Sequence, residues 1–105
     1  MKIPEVLHLA ARAASSRKAE DMVLLDLREV DAFTDFFLLV SGSNQKQLVA
    51  VADAVEDALR DEGLRPKHLE GYPKQEWILM DYGSFVVHVF TNRSRSFYVI
   101  GRAHV

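Results

Sequence analysis

The sequence predicts an α/β fold of the α+β kind, a mixed sheet of about five strands with helices mainly on one face. Three observations carry this. Apolar residues recur at helical spacing over 3–14 and 44–62. Alternating or continuous apolar runs of strand length occupy 21–28, 36–40, 76–81 and 85–91. The elements follow the order α-β-β-α-β-β-β-α.

In chain order, Ile3, Val6, Leu7, Ala10 and Ala14 form the apolar stripe of a first helix, with Pro4 suited to its first position. From Asp21 to Arg28 the pattern alternates, Val23, Leu25 and Leu27 against Leu24 and Asp26. Val30 to Asp35 is a turn region. Phe36 to Val40 is an unbroken apolar run, the mark of a strand buried on both faces. Ser41-Gly42-Ser43-Asn44 turns into a second helix, capped by Asn44 with Gln47 in the reciprocal position and ended near Glu62 by Gly63. Arg65-Pro66 opens an extended segment through Leu69, and Glu70-Gly71-Tyr72-Pro73 reads as a loop. Two strands, Glu76 to Asp81 and Phe85 to Thr91, are joined around Tyr82-Gly83. Asn92 to Ser96 could cap a last short helix carrying Phe97, Tyr98 and Ile100.

The chain has 105 residues, one domain by length, and 49% of them are apolar, enough for a core without staples. It has no cysteine, so disulfides and thiolate metal sites are excluded. A net charge of −2 with interspersed signs argues against DNA or broad phosphate-backbone binding. No apolar run approaches the roughly 20 residues that a membrane span needs. The amino-terminal residues read as neither signal nor transit peptide, so a cytoplasmic location is expected.

The hairpin carries the most information. With Tyr82 and Gly83 as its two loop residues, Asp81 opposes Ser84, Leu79 opposes Val86 and Trp77 opposes His88. One face is then wholly apolar: Ile78, Met80, Phe85, Val87 and Val89. The other combines Trp77, Asp81, His88 and Phe90. That mixture suits a docking surface with aromatic anchors and a carboxylate for a basic partner. It equally suits a core anchor, Trp77, beside a satisfied half-buried imidazole.

Thr34-Asp35-Phe36-Phe37-Leu38-Leu39-Val40-Ser41-Gly42-Ser43-Asn44-Gln45-Lys46-Gln47 resembles the signature of the ribosomal silencing factor (Iojap) family. The resemblance continues through Ala52-Asp53, Glu70-Gly71, Trp77 to Gly83, Val86 to Phe90, and Arg95 with Phe97-Tyr98, in family order across nearly the whole chain. Two departures stand out. Ser84 occupies a position that is usually acidic in the family, and the tail Ile100 to Val105 lacks the usual Leu-Glu-x-Leu-Trp ending.

The resemblance implies a nucleotidyltransferase-like core and a non-enzymatic role. Family members dock on the large ribosomal subunit through the ribosomal protein numbered fourteen. They thereby block subunit association and repress translation, with a role in large-subunit biogenesis. A homodimer is expected for the free protein. The candidate partner-binding residues are Trp77, Asp81, Tyr82, His88, Phe90, Glu70 and Tyr98.

Two rival functions fit the sequence less well. A nucleotidyltransferase needs a Gly-Ser turn, present at Gly42-Ser43, and paired carboxylates on a nearby strand to hold Mg²⁺, which the sequence does not offer. Asp53 and Asp57 lie at helical spacing and read as a solvated face. An assembly factor binding ribosomal RNA could use Lys46, Arg65, Lys67, Arg93, Arg95 and Arg102, but acids separate them. His8, His68, His88 and His104 have no metal-ligand spacing, so neither metal nor cofactor is expected.

Overall fold

The computed structural model describes residues 4–30, 32–72 (without the side chain of residue 72) and 76–92. Within them the order is α1 (Glu5–Ser16), β1 (Glu20–Asp26), β2 (Phe36–Gly42), α2 (Gln45–Asp61), β3 (His68–Tyr72), β4 (Trp77–Asp81) and β5 (Phe85–Thr91). The strands form one mixed sheet in the order β1-β2-β5-β4-β3. β2 and β5 run parallel, and the other neighbours are antiparallel. The helix expected beyond Asn92 lies outside the described residues.

The central pair explains the architecture. β2 and β5 are in register from Phe36 beside Phe85 to Gly42 beside Thr91. All seven residues of β5 are buried, and in β2 every residue except Phe37 is. A continuous apolar run without alternation is what a strand covered on two faces requires. Phe36, Leu38, Val40, Phe85, Val87 and Val89, with Ile78 and Met80 from β4, face the helices. From α2 they receive Leu48, Val51, Ala52, Val55 and Leu59, and from α1 Leu7, Ala10 and Ala14. The alanines let α1 lie close on its neighbours. Each fully buried Val or Leu contributes about 1.5–3 kcal/mol. The exposed ion pairs Arg12–Glu5 and Arg60–Asp57 contribute at most about 1 kcal/mol each. Apolar burial therefore dominates the fold.

Both helix ends are chemically defined. Asn44 Oδ1 accepts from the Gln47 backbone N–H at 2.9 Å, which caps α2. Gln47 does not return the bond to Asn44. Its Oε1 accepts from the Ser43 backbone N–H at 2.6 Å and from Ser43 Oγ at 2.7 Å. Its Nε2 donates to the carbonyls of Arg17 at 3.0 Å and Lys18 at 2.9 Å. One side chain thus ties the α1–β1 link to the start of α2.

At the other end, Gly63 N–H bonds Arg60 O at 2.9 Å and Leu64 N–H bonds Leu59 O at 2.9 Å, a Schellman closure with Gly63 at φ +82°. The same closure ends α1, through Lys18 N–H to Ser15 O at 2.9 Å and Ala19 N–H to Ala14 O at 3.1 Å. There, however, Lys18 occupies the left-handed position, at φ 63°.

Three sequence readings are corrected. β3 continues through Tyr72, so Glu70-Gly71-Tyr72 is strand, with Gly71 opposite Ile78. β2 includes Ser41 and Gly42, which had been read as loop.

The third correction is the hairpin register. Tyr82 N–H bonds Phe85 O at 2.9 Å, so the loop residues are Gly83 and Ser84. Gly83 has φ +91° and Ser84 does not share the left-handed region, which is the pattern of a type II′ turn. Asp81 therefore opposes Val86, Leu79 opposes His88 and Trp77 opposes Phe90. Moving the loop by one residue shifts the pairing by two, and the face of every side chain is unchanged.

The two left-handed caps make opposite predictions. Lys18→Gly relieves a Cβ penalty and should stabilise the chain by about 0.5–1 kcal/mol. Gly63→Ala, where an added Cβ meets nothing within 4 Å, should destabilise it by about 1–2 kcal/mol through backbone strain alone. Denaturant midpoints at an unchanged slope measure both. Shifts of the same sign for the two variants would contradict the cap assignment.

Candidate docking surface

The face of the sheet opposite α1 and α2 gathers most of the candidate residues. Cross-strand pairing produces three rows on it. Glu70, Leu79, His88, Leu39 and Val23 lie side by side. Trp77, Phe90 and Ser41 form the row on one side of these, and His68, Asp81, Val86, Phe37 and Leu25 the row on the other.

Trp77 is the centre of an aromatic stack. Its ring lies parallel to Phe90, with centroids 5.7 Å apart and planes at 4°. It is also parallel to His88, at 5.9 Å and 10°. These are offset stacks, the geometry that aromatic quadrupoles favour. Trp77 Nε1–H donates to His88 Nδ1 at 3.3 Å, which ties the indole edge to the buried imidazole. The run extends sideways. Phe37 packs edge-on to His88 at 4.7 Å, and Phe33 tilts against Phe37 at 5.9 Å.

Burial sorts these residues by role. His88 and Phe90 are buried, at 3% and 2% exposure, while Trp77, Leu79 and Phe37 are half-buried and Glu70 is exposed. The buried rings fix the indole and the half-buried ones present surface. Phe33, at 75% exposure, stands at the rim. Phe37 and Phe33 were missed in the sequence reading. Alternation within the run 36–40 would have assigned Phe37 and Leu39 to this face. For Phe33, in a turn region, no periodic signal exists.

The remaining candidates are dispersed. Asp81 Oδ1 accepts from the Gly83 backbone N–H at 2.8 Å, so this carboxylate first serves to hold the turn. Tyr82 continues the alternation of Ile78 and Met80. It lies under the helices, 9% exposed and stacked on Phe85 at 4.9 Å. Its hydroxyl has no hydrogen-bond partner among the described residues. Burial, with a lesser push from Glu56, raises its phenol to about 12. Tyr98 lies outside the described residues.

The Thr34-Asp35 motif also has a structural explanation. Thr34 Oγ1 donates to Gly83 O at 2.9 Å, and the Asp35 backbone N–H donates to Ser84 O at 3.1 Å. Asp35 O accepts from Leu27 N–H at 2.7 Å. The motif thus pins the link between β1 and β2 to the β4–β5 turn. Beside it, Arg28 forks onto Asp26 at 2.6 and 2.9 Å and lies 4.8 Å over the Phe36 ring. The guanidinium hydrogen bond holds the Asp26 carboxyl down to about 2.

A cleft of about 650 Å³ lies at the start of α2 and the carboxyl ends of β2 and β5, lined by Ser43, Asn44, Gln45, Lys46, Glu76 and Thr91. Among the described lining residues the carboxylate is Glu76, which accepts from Thr91 Oγ1 at 2.7 Å. These residues offer it no second carboxylate for the pair that Mg²⁺-dependent phosphoryl chemistry uses. Among the described residues no group of three or more His, Asp or Glu could hold a metal ion.

Two substitutions test these placements. Thr34→Val keeps the side-chain shape but leaves the Gly83 carbonyl without its hydroxyl donor, and should cost about 1–2 kcal/mol. A loss under about 0.3 kcal/mol would show that the bond does not lock the link. Tyr82→Phe should change stability by less than about 1 kcal/mol, since the hydroxyl it removes has no partner. Because burial favours the neutral phenol, the Tyr82 contribution is complete below the ordinary tyrosine value of about 10. It is lost as pH rises through about 12. The difference in phenolate absorbance between parent and Tyr82→Phe should therefore appear near 12, and a difference centred near 10 would place this ring in water.

Comparison with known proteins agrees with this architecture. A family model described as "Ribosomal silencing factor during starvation" (RsfS) matches residues 1–102. Over 98 residues the chain is 38% identical to the ribosomal silencing factor RsfS of Halalkalibacterium halodurans, covering 93% of this chain and 84% of that protein. It is 36% identical to that of Bacillus subtilis over 98 residues, covering 93% and 83%. A crystal structure of a protein from Chromobacterium violaceum superposes with a TM-score of 0.88 at 30% identity, covering 98% of this chain and 86% of that one. With its mixed five-stranded sheet, two described helices and full-length family match, the chain belongs to the family of ribosomal silencing factors, which are regulatory proteins.

Proposed function

We propose that this chain docks on the large ribosomal subunit through the aromatic sheet face centred on Trp77, and that its bulk then blocks association with the small subunit. The observation that supports this most is the Trp77 stack. An indole that stays half-exposed while two buried rings and a 3.3 Å hydrogen bond fix it is a pre-ordered anchor. Such an anchor gives up little rotamer freedom on binding. A standard interface buries about 800 Å² per partner, which a domain of this size can supply.

The partner surface, as the family resemblance implies, belongs to the ribosomal protein numbered fourteen, on ground that the small subunit must also occupy. Glu70, one row from Trp77, and Asp81, two rows from it, suit a lysine- and arginine-rich protein. Charge of this kind speeds encounter, while the indole slows release. His88 and Phe90 act by positioning Trp77, and Tyr82 by holding the hairpin from beneath. No bond is made or broken in such a mechanism. The result is repressed translation in the cytoplasm, where the subunits meet.

Co-sedimentation with purified large subunits tests the site. Trp77→Ala should weaken binding by about 2 kcal/mol or more, roughly thirtyfold, with the fold retained by circular dichroism. Glu70→Lys should slow association and flatten its salt dependence. Parent-like binding by a folded Trp77→Ala variant would remove the indole from the site. Binding to isolated ribosomal RNA, with none to the isolated ribosomal protein, would reassign the partner.

A further inference from the structure

Among the described residues, one edge of the sheet is open and apolar. All seven residues of β1 are exposed, and Met22, Val23, Leu24 and Leu25 are 40, 39, 36 and 38% exposed. Val23 and Leu25 face the same way as Leu39 and Phe37, while Leu24 sits beside Leu38 on the helix side. Four consecutive apolar residues on an outer strand are what sheet proteins ordinarily avoid, because unpaired N–H and C=O groups there recruit another strand. A bulge between Glu20 and Val23, with Asp21 at φ 50°, turns the first residues of β1 aside and leaves Val23–Asp26 as its regular edge. The opposite edge is treated differently. β3 is five residues long and carries His68, Glu70 and Gly71, which blunt it.

Charge says which strand β1 could receive. Residues 20–35 contain six acids, Glu20, Asp21, Asp26, Glu29, Asp31 and Asp35, and one base, Arg28. Arg28 is bonded to Asp26 at 2.6 Å. A guest must therefore bring basic residues around a short apolar middle. A second copy fits poorly. Antiparallel self-pairing centred on Leu24 would place each Asp26 opposite Met22, with Glu20 as its diagonal neighbour, and the base opposite each Glu20, Arg28, is already held by its own Asp26. Nucleic acid carries the wrong sign.

We propose that the outer edge of β1 takes up an extended, lysine- or arginine-flanked segment of a protein of the large subunit, which adds to the sheet as a sixth strand beside the Trp77 face. This rests on the docking reading above and extends it. Trp77 supplies an anchor, whereas main-chain pairing along Val23–Asp26 supplies orientation. The asymmetry of the two edges then fixes on which side of the domain the subunit lies.

Amide hydrogen exchange tests this on the full chain, free and bound to purified large subunits, with Leu24→Lys as a companion variant. Leu24 is on the helix side of β1, so Lys there charges the edge without touching the aromatic face. In the complex, exchange at Val23–Asp26 should slow by at least about tenfold, and Leu24→Lys should weaken binding by at least about tenfold at an unchanged melting temperature. Protection around Trp77 with free-state exchange at Val23–Asp26 would overturn the edge assignment while leaving the docking reading intact. Concentration-dependent protection of β1 without subunits would give the edge to a second copy and overturn it equally. A parent chain that does not bind subunits at all would overturn both.

Discussion

The structure depends on the parallel pairing of β2 and β5 at the middle of the sheet. Two strands that are neighbours in space but distant in sequence must both be apolar on both faces, and their register sets every other contact. On one side, Phe36, Leu38, Val40, Phe85, Val87 and Val89 make the floor on which α1 and α2 rest. On the other, Phe37 against Val86 and Leu39 against His88 make the base of the aromatic surface. A slip of one residue along this pair would exchange the two sets, burying the histidine under the helices and turning the valines outward. Nothing peripheral could compensate, because the exposed ion pairs are an order of magnitude weaker than the apolar burial.

The remaining elements make sense as supports for that pair. β4 completes both faces, with Ile78 and Met80 inward and Trp77 and Leu79 outward. The type II′ turn at Gly83-Ser84 is held from three sides, by Asp81, Thr34 and the backbone of Asp35. Gln47 binds the start of α2 to the link before β1. The family motif is thus mostly a set of structural ties. They leave Trp77 fixed and still half-exposed, which suits the docking role proposed for this face. The unequal edges of the sheet give that surface a direction as well as a centre.

Much of this was legible in the sequence, for physical reasons that differ by element. The run Phe36–Val40, the strand Phe85–Thr91 and the cap residues Asn44 and Gly63 carry strong local signals, because burial on two faces and unsatisfied helix ends leave few chemical choices. The face assignment of the hairpin survived a wrong loop, since moving the loop by one residue shifts pairing by an even number. Glu70-Gly71-Tyr72 was misread because loop composition and edge-strand composition overlap. Tyr82 was placed in the turn, and only the true loop, Gly83-Ser84, extends the alternation to it and sends it under the helices. That Gln47 reaches back to Arg17 and Lys18, and that Thr34 reaches Gly83, are tertiary facts with no local signature. Likewise the spacing of Trp77, His88 and Phe90 suggested one face, while their division into presented and buried rings needed the packing itself.

In the proposed mechanism the folded domain, seated on the large subunit, excludes the small one by volume alone. Light scattering from purified subunits, mixed after the large one has been titrated with this chain, measures that directly. The yield of joined particles should fall in step with occupancy and reach a floor at one chain per large subunit, without nucleotide or metal beyond what joining itself needs. Undiminished joining at saturating occupancy would contradict it.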